Sequence, residues 1–302
     1  MASGQLIKSK KRRNALPAVA EADLAKLVAD NSVFAFNLYR TIRQTGSNLF
    51  FSPYSISEAL AMAYAGACGH TEKDMAEALN FKLSADCLHP AFNSLDLQFQ
   101  ERGQGAKGKD EGGFRLHVVN AIWGQKGYDF SPQFLDVLAQ NYGAGLRILD
   151  FIDEAEQSRV TINKWVSEQT EERIKDLVSR GAIDQLTRLV LTNAIYFNAA
   201  WEYPFNKNST SDGTFHLIGD IEINVPMMRQ TKSLRYAEGD GYQAVELPYD
   251  GRELSMLILL PEVGQFNVYE GLLSAEFIKS NGYDQNFFAP ETGSSISRSS
   301  DE

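Results

Sequence analysis

The first half of the chain shows apolar residues at the three- and four-residue spacing of amphipathic helices. This spacing predicts one helix that starts at Glu21 and ends before Thr45, and another over Glu154–Arg180. Between them, Ala59–Ala67 contains so many small residues that we predict a buried helix in close contact with its neighbours. Shorter helices are predicted over residues 71–79, 90–102 and 132–142.

Strands are predicted from short apolar and β-branched runs, which are most frequent in the second half of the chain. Leu189–Phe197 is nearly all apolar, as is typical of a central strand covered on both faces. Further strands are predicted over residues 48–51, 116–123, 147–151, 221–228, 233–236, 243–248 and 254–260, with a last short helix over residues 268–279. Because helices dominate the first half and strands the second, the predicted fold class is α+β.

Three segments of the chain differ in composition. Residues 1–20 carry five basic residues with no apolar block behind them, so we predict a disordered basic N-terminus and no secretory signal. A nuclear-type address is the alternative interpretation of the same basic residues. Residues 21–280 hold the periodic elements. Residues 281–302 contain five serines within Ser294–Ser300 and no apolar period, so we expect a disordered tail.

Composition narrows the classes of function. With 43% hydrophobic and 23% charged residues among 302, the chain has the make-up of a globular protein rather than a disordered or fibrous one. Its formal net charge of -10 repels phosphate backbones, so we expect no nucleic acid partner. No apolar run approaches the length of about 18 residues that a membrane span needs, so we expect no membrane partner either.

No motif in the chain predicts an enzyme. The glycine-rich stretch of residues 103–109 resembles a phosphate-binding loop, but a predicted helix precedes it and a predicted strand follows, so a plain surface loop is the preferred interpretation. The four histidines show no metal-ligand spacing, and neither a metal nor a cofactor is predicted. Cys68 and Cys87 could pair or stay free, and the simplest interpretation is two small buried residues.

Five stretches share their residues and their order with one known family. They are Asn48–Thr71, Val119–Trp123, Ile162–Trp165, Leu189–Trp201 and Leu254–Pro261. The first reads NLFFSPYSISEALAMAYAGACGHT and the fourth reads LVLTNAIYFNAAW. Together they resemble the serpin family closely, and the resemblance covers residues 21–280. That segment is therefore identified as a partial serpin domain.

Membership of this family implies a serpin fold, in which helices surround a large central mixed β-sheet with smaller sheets beside it. In inhibitory serpins a protease attacks an exposed C-terminal loop. The cleaved loop then inserts into the central sheet and deforms the trapped protease. The resemblance thus implies a suicide-substrate inhibitor of serine or cysteine endopeptidases, whose partner is the target protease. It implies neither an enzyme nor a cofactor.

The resemblance also assigns roles to individual residues. Ser52, Ser55 and Asn193 correspond to the shutter, where strands of the central sheet part. Trp201 corresponds to the breach, where the loop begins to insert, and Trp165 to the contact between the sheet and the helix over it. Asn193 is unusual on its own, because a buried amide in an apolar strand needs hydrogen-bond partners. We expect it in the middle strand of the largest sheet, bonded near Ser52 or Ser55. The alternative to a shutter is that these polar residues form a fixed hydrogen-bond network in the core. The alternative for the two tryptophans is plain core packing.

One part of the family's pattern has no counterpart in this sequence. Residues 281–302 resemble neither the hinge, the reactive loop nor the closing strands, so the reactive-centre bond is absent and no target can be named. We expect a C-terminally truncated member that is inactive as an inhibitor, with an open edge on the Leu189–Phe197 strand. The alternatives are a non-inhibitory serpin-like binding or chaperone protein and a non-functional fragment. The family suggests an extracellular location, and a cytoplasmic one is the alternative.

Overall fold

The computed structural model describes residues 5–43, 48–102, 105–106, 114–219 and 221–280. The chain divides into two units, residues 1–199 and residues 200–302, each with its own elements. Two predicted features lie outside the described residues, namely the tail over residues 281–302 and most of the glycine-rich stretch over residues 103–109.

The first unit combines helices with one sheet. The described helices are α1 (Glu21–Ile42), α2 (Pro53–Tyr64), α3 (His70–Ala78), α4 (Ala85–Glu101), α5 (Pro132–Tyr142) and α6 (Ala155–Gln169). The described strands are β1 (Gln5–Ile7), β2 (Arg115–Gln125), β3 (Leu146–Leu149) and β4 (Leu189–Asn198). The predicted helices agree closely with α1 and α5, whereas α4 begins before the predicted residue 90.

The helix predicted over Glu154–Arg180 is shorter than expected. It ends at Gln169, and the backbone then turns left-handed at Glu171 (φ 50°) and Glu172 (φ 59°), which no helix continues through. Ile174 and Val178 nevertheless pack against the core cluster that α6 covers. The apolar stripe over Glu154–Arg180 therefore belongs to two different structures, the helix α6 and the irregular segment after it. Both bury their apolar side chains in the same core.

The strand predicted over residues 48–51 does not form. Leu49 is 39% exposed and Phe50 is 95% exposed, and none of the described strands pairs with this segment. An apolar run becomes a strand only where its backbone N–H and C=O groups find ladder partners. Within the described residues this segment has no such ladder.

The four strands of the first unit form a mixed sheet in the order β1-β3-β2-β4. β2 runs antiparallel to β4, which places Asn120 opposite Asn193, and β2 runs parallel to β3. Among the described residues β4 is an edge strand, not the middle strand that its sequence predicted. Its Leu189 and Phe197 are 43% and 39% exposed. The apolar run misled because the middle of β4 packs on both faces, through Ala194 on one and Leu191 on the other, while one edge of the strand has no partner among the described residues.

Helices cover both faces of this sheet. On one face, Ile162 of α6 packs in the same cluster as Trp123 of β2. On the other face, Met62 of α2 and Phe134 of α5 pack in a cluster with Ile122 of β2. Successive residues of β2 thus point to opposite cores. Each of these buried side chains contributes roughly 1.5–3 kcal/mol to stability, so the sheet is fixed between α6 and the pair of α2 and α5.

The second unit consists mainly of two antiparallel sheets. Its described strands are β5 (Ser211–His216), β6 (Glu222–Met227), β7 (Arg235–Gly239), β8 (Tyr242–Pro248) and β9 (Ser255–Pro261). β5 pairs with β6, and β8 lies between β7 and β9. The helix predicted over residues 268–279 is instead two short helices, α7 (Phe266–Leu272) and α8 (Ala275–Ser280). With strands and helices largely segregated along the chain, the fold class is α+β, as predicted.

The N-terminal segment differs from the predicted disordered terminus over residues 5–20. β1 adds an antiparallel strand to β3. Further along, Lys11 pairs with Asp136 of α5 at 3.0 Å. Arg13 donates from Nε to Asn93 of α4 at 2.8 Å and from a terminal nitrogen to Asp96 at 2.5 Å. Lys11 and Arg13 are held by acceptors far away in the sequence, and composition alone does not reveal such partners.

Replacing Arg13 with alanine is expected to lower the free energy of unfolding by about 1–3 kcal/mol, because Asp96 and Asn93 would lose a charged donor in a site largely shielded from water. Urea unfolding measures the change. Arg12→Ala is the matched control, since Arg12 is exposed and its loss should change stability by less than about 0.5 kcal/mol. Equal effects of the two substitutions would contradict an anchored N-terminal segment.

Candidate functional site

The side-chain amide of Asn193 lies between β4 and the start of α2. Its Nδ2 donates to the Ser55 carbonyl oxygen at 2.9 Å and to Asn120 Oδ1 at 2.6 Å, and it also contacts the Ser55 hydroxyl. Asn120 can accept because it lies directly opposite on β2, so that both side chains point to the same face. The predicted bond between Asn193 and the helix start is confirmed. Asn193 is half-buried rather than buried, because its strand lies at the sheet edge.

The local sequence of α2 explains how Ser55 is presented to the sheet. Ser52 is the N-cap, and its Oγ accepts from the backbone N–H of Ser55 at 3.2 Å, while Pro53 fits the first turn. Ser55 is fully buried. No described contact joins Ser52 to Asn193. Of the three predicted residues, the structure therefore brings Ser55 and Asn193 together directly, and Ser52 acts on Asn193 by holding the first turn of α2.

Two residues that the sequence pattern did not bring out complete this arrangement. Asn120 Nδ2 donates to Oε2 of Glu58 at 2.9 Å, and Glu58 is only 6% exposed. A signal was available, because Glu58 is an acidic residue directly before the stretch Ala59–Ala67 that is predicted to be buried, and it follows Ser55 by about one helical turn. The polar cluster, as we name it, consists of Ser55, Glu58, Asn120 and Asn193.

Burial changes the protonation of Glu58. Loss of hydration, with a smaller contribution from the Asp96 carboxylate, raises the pKa of Glu58 from 4.5 to about 8. The positive charge of Arg13 and the hydrogen bond from Asn120 act in the opposite direction but do not cancel the cost of burial. Glu58 is therefore mainly protonated at pH 7, and the polar cluster carries little net charge there.

An aromatic contact holds the other face of the sheet. The rings of Trp165 on α6 and Trp123 on β2 meet edge to face with centroids 5.4 Å apart. The guanidinium of Arg147 on β3 lies 4.8 Å from the Trp165 ring centroid and 5.4 Å from that of Trp123. An aromatic pair of this kind contributes about 0.5–1.5 kcal/mol beyond area burial. Trp165 thus lies between α6 and the sheet, and its role beyond packing stays a prediction.

Trp201 belongs to the second unit. Its ring stacks on that of Tyr249 with centroids 4.6 Å apart, and the two residues also form a backbone bridge. Next to this pair, Arg252 Nε lies 2.8 Å from each carboxylate oxygen of Glu202. A terminal nitrogen of Arg252 also lies 2.6 Å from Glu202 Oε1, so an ion pair lies beside the stacked rings. The breach role of Trp201 stays a prediction.

Other candidate chemistry is sparse in the part of the chain that the structure describes. No three histidine, cysteine or carboxylate side chains are grouped there so that they could hold a metal ion. None of the helices in that part has the length and apolar character required to cross a membrane. Cys68 and Cys87 are unpaired, and Cys68 is exposed. The interpretation of two buried cysteines is therefore wrong for Cys68, which lies in the connection between α2 and α3 rather than in a helix, and Cys87 is only partly buried.

Comparison with known proteins gives a consistent picture. A family model described as serpin (serine protease inhibitor) matches residues 29–286. The chain is 41% identical over 247 residues to an uncharacterized serpin-like protein of Thermococcus kodakarensis, covering 82% of this chain and 56% of that protein. It is 38% identical over 247 residues to a leukocyte elastase inhibitor of Sus scrofa, covering 79% and 62% respectively. The chain thus spans about three fifths of the length of these relatives.

Solved structures are similar as well. Emu ovalbumin superposes with a TM-score of 0.78 at 25% identity, over 86% of this chain and 70% of that one. An Arabidopsis serpin in its native stressed conformation gives a TM-score of 0.76 at 26% identity, over 87% and 68%. Both likenesses extend over most of this chain and agree with the α+β fold.

Replacing Asn193 with alanine is expected to lower the free energy of unfolding by about 1–3 kcal/mol, because acceptors on Ser55 and Asn120 would remain buried without their donor. Chemical denaturation measures the loss. Asn224→Ala is the control, since Asn224 is an exposed asparagine on strand β6, and its loss should change stability by less than about 0.5 kcal/mol. A loss for Asn193→Ala no larger than that for Asn224→Ala would show that the polar cluster does not stabilise the fold.

Proposed function

The chain belongs to the serpin family, and from that premise we propose that its function is protease inhibition of the serpin type. Serpins are protease inhibitors rather than enzymes, and we extend that description to this chain. The proposed target class is serine endopeptidases, with cysteine endopeptidases as a second class. The observation that carries the proposal is the match of residues 29–286 to a family of serine protease inhibitors.

In the proposed reaction the target protease is trapped partway through peptide cleavage. The protease nucleophile attacks the carbonyl carbon of the reactive-centre bond, the peptide C–N bond breaks, and the leaving amine takes up a proton. The cleaved loop, still joined to the protease by an acyl bond, then enters the central sheet as a new strand. That insertion requires neighbouring strands of the sheet to separate and water to be kept from the acyl bond.

The polar cluster supports this proposal through its position. Asn193 ties β4 to Ser55 at the start of α2 and to Asn120 on β2. Hydrogen bonds of this kind can be exchanged for bonds to water or to an incoming strand, whereas interlocked apolar side chains cannot. We therefore assign Ser55 and Asn193 to the shutter, with Ser52 as the cap that fixes Ser55.

The two tryptophans receive the roles that the family resemblance implies. Trp165 anchors α6 on the sheet, and its edge-to-face contact with Trp123 gives that anchor a defined geometry. A helix lying across a sheet that must accept a strand has to shift, and one aromatic contact is easier to re-form after a shift than an extended interlocked surface. Trp201, stacked on Tyr249, is assigned to the breach.

We further propose that the 302-residue chain on its own does not trap proteases. Residues 281–302 resemble neither a hinge nor a reactive loop, so the chain offers no recognisable bond for the protease to attack. The residues of the reactive centre set the specificity of a serpin for its target. The curated relatives named as leukocyte elastase inhibitors make an elastase the first protease to try.

The experiment compares two proteins on a denaturing gel after incubation with elastase, trypsin, chymotrypsin, subtilisin and papain. The 302-residue chain should form no covalent band with any of them. A hybrid, in which residues 1–280 are joined to the segment that follows the corresponding helix in the pig leukocyte elastase inhibitor, should form a band at the summed mass with elastase. That gain is expected because the hybrid supplies a scissile bond to a sheet able to open.

The pig inhibitor itself is the positive control, and circular dichroism establishes that both proteins are folded. A folded hybrid that is cleaved without a covalent band would contradict inhibition by trapping and favour a binding function instead. A covalent band with the 302-residue chain would overturn the proposal that this chain is inactive alone, while supporting inhibition.

A further inference from the structure

The N-terminal segment lies on the first unit in the way that a peptide ligand lies on the edge of a sheet. β1 pairs antiparallel with β3, and Ile7 of this strand packs against the apolar cluster that includes Phe134 of α5 and Leu146 of β3. In strand addition of this kind the backbone ladder supplies affinity, and alternate side chains supply specificity. Residues 5–14, which we name the N-terminal arm, therefore begin with the geometry of a bound peptide.

Beyond β1, helix α5 holds the N-terminal arm through one carboxylate. Ser9 donates its hydroxyl to Asp136, and Lys11 Nζ lies 3.0 Å from the other carboxylate oxygen. The hydrogen bonds from Ser9 and Lys11 also keep the pKa of Asp136 below its ordinary value, so this carboxylate is charged at neutral pH. α5 thus presents a negative charge to a basic segment.

Helix α4 holds the end of the N-terminal arm with a buried amide. Asn93 is fully buried, and its Oδ1 accepts from Arg13 while its Nδ2 donates to the Asn14 carbonyl oxygen at 2.7 Å. The Asn14 N–H donates in turn to the Gln140 carbonyl oxygen of α5 at 2.9 Å. A buried amide needs hydrogen-bond partners at both of its ends, and the arm supplies one to each.

A glycine beside β3 leaves room for the N-terminal arm. A Cβ atom on Gly145 would lie 2.5 Å from Lys8 Cγ and 2.9 Å from the Ile7 carbonyl oxygen. Both distances are far shorter than atoms without a bond between them approach. The backbone of Gly145 is not left-handed, so the missing side chain matters for the approach of the arm rather than for local conformation.

The arm site, as we name it, consists of the edge of β3, Gly145, Asp136, Asn93 and Asp96. We propose that the arm site is a peptide-binding site, and that its partner in trans is the N-terminal arm of a second copy of this chain. The contacts named above join the arm to β3, α4 and α5, so an identical arm from another copy makes them equally well. The connection to α1 includes Leu16, which is 90% exposed, so the arm leaves its own site without removing Leu16 from a core.

Charge complementarity favours this partner. The N-terminal arm carries five basic residues and no acidic one, in a chain whose formal net charge is -10. The arm of one copy is therefore attracted to another copy, whereas two copies that do not exchange arms repel each other. A short tether holds the arm near its own site at an effective concentration of about millimolar, so exchange should become detectable at about 0.1–1 mM protein.

Zero-length cross-linking of the full chain tests the exchange directly. A carbodiimide joins amines to carboxylates that are in contact, as Lys11 and Asp136 are. Unlabelled and isotope-labelled chains are mixed in equal amounts at about 0.01 and 1 mM, and mass spectrometry identifies the linked peptides. Pairs that join a labelled to an unlabelled peptide should become at least about fivefold more frequent at the higher concentration. Pairs from single chains alone, at both concentrations, would exclude a second copy as the partner.

A fluorescent peptide with the sequence of residues 5–16 tests the arm site itself, with binding to the full chain followed by anisotropy. Arg13→Ala in the chain weakens its own arm and leaves the site intact, so this variant should bind the peptide roughly 10- to 100-fold more tightly than the wild-type chain does. Arg13→Ala in the peptide should weaken that binding by a similar factor. Arg12→Ala in the peptide is the matched control and should change the affinity by less than about threefold.

A variant of the arm site completes the test. Gly145→Ala, added to the Arg13→Ala chain, should abolish peptide binding, whereas Gly271→Ala is the control because a Cβ atom there meets nothing within 4 Å. Unchanged binding to the Gly145→Ala chain, or equal affinities of the Arg12→Ala and Arg13→Ala peptides, would show that the arm site does not recognise the peptide. If the Gly145→Ala chain does not fold, the two peptide variants and the cross-linking decide. Neither experiment involves a protease, so both are independent of the proposed inhibition.

Discussion

One side-chain amide joins the edge of the sheet to the helix beneath it, and the candidate site depends on that contact. Asn193 offers two N–H groups to three acceptor positions, two on Ser55 and one on Asn120. Pairing these acceptors with a donor is strongly favoured over leaving them unpaired, because each buried acceptor without a hydrogen-bond donor costs roughly 1–3 kcal/mol. Removing the amide would leave β4 attached to the rest of the unit mainly by its ladder with β2 and by apolar packing.

The placement of this contact suits a sheet that has to open. Aliphatic and aromatic side chains fix the middle of the sheet against α6 on one face and against α2 and α5 on the other. At β4 the attachment to α2 includes the hydrogen bonds of Asn193 beside the apolar packing of Leu191, and polar groups can change partners without leaving a void.

The features predicted from the sequence were those that nearby residues determine. The periodicity gave α1 and α5 nearly to the residue, and the anomaly of an amide in an apolar strand led to the contact between Asn193 and Ser55. Strand order depends on pairings distant in the sequence, so the edge position of β4 could not be read from its apolar run. The same holds for Arg13, whose partners lie on α4. Glu58 could in principle have been predicted, because it is an acid directly before the stretch Ala59–Ala67 that is predicted to be buried.

The central claim, that the Asn193 amide and the first turn of α2 stabilise the fold through each other, is tested most directly by a double-mutant cycle. Unfolding free energies of Ser55→Ala, Asn193→Ala and the double variant isolate the energy of that pair from other effects of each substitution. The account predicts that the double variant loses less stability than the sum of the two single losses, by about 1 kcal/mol. Strict additivity of the two losses would contradict it.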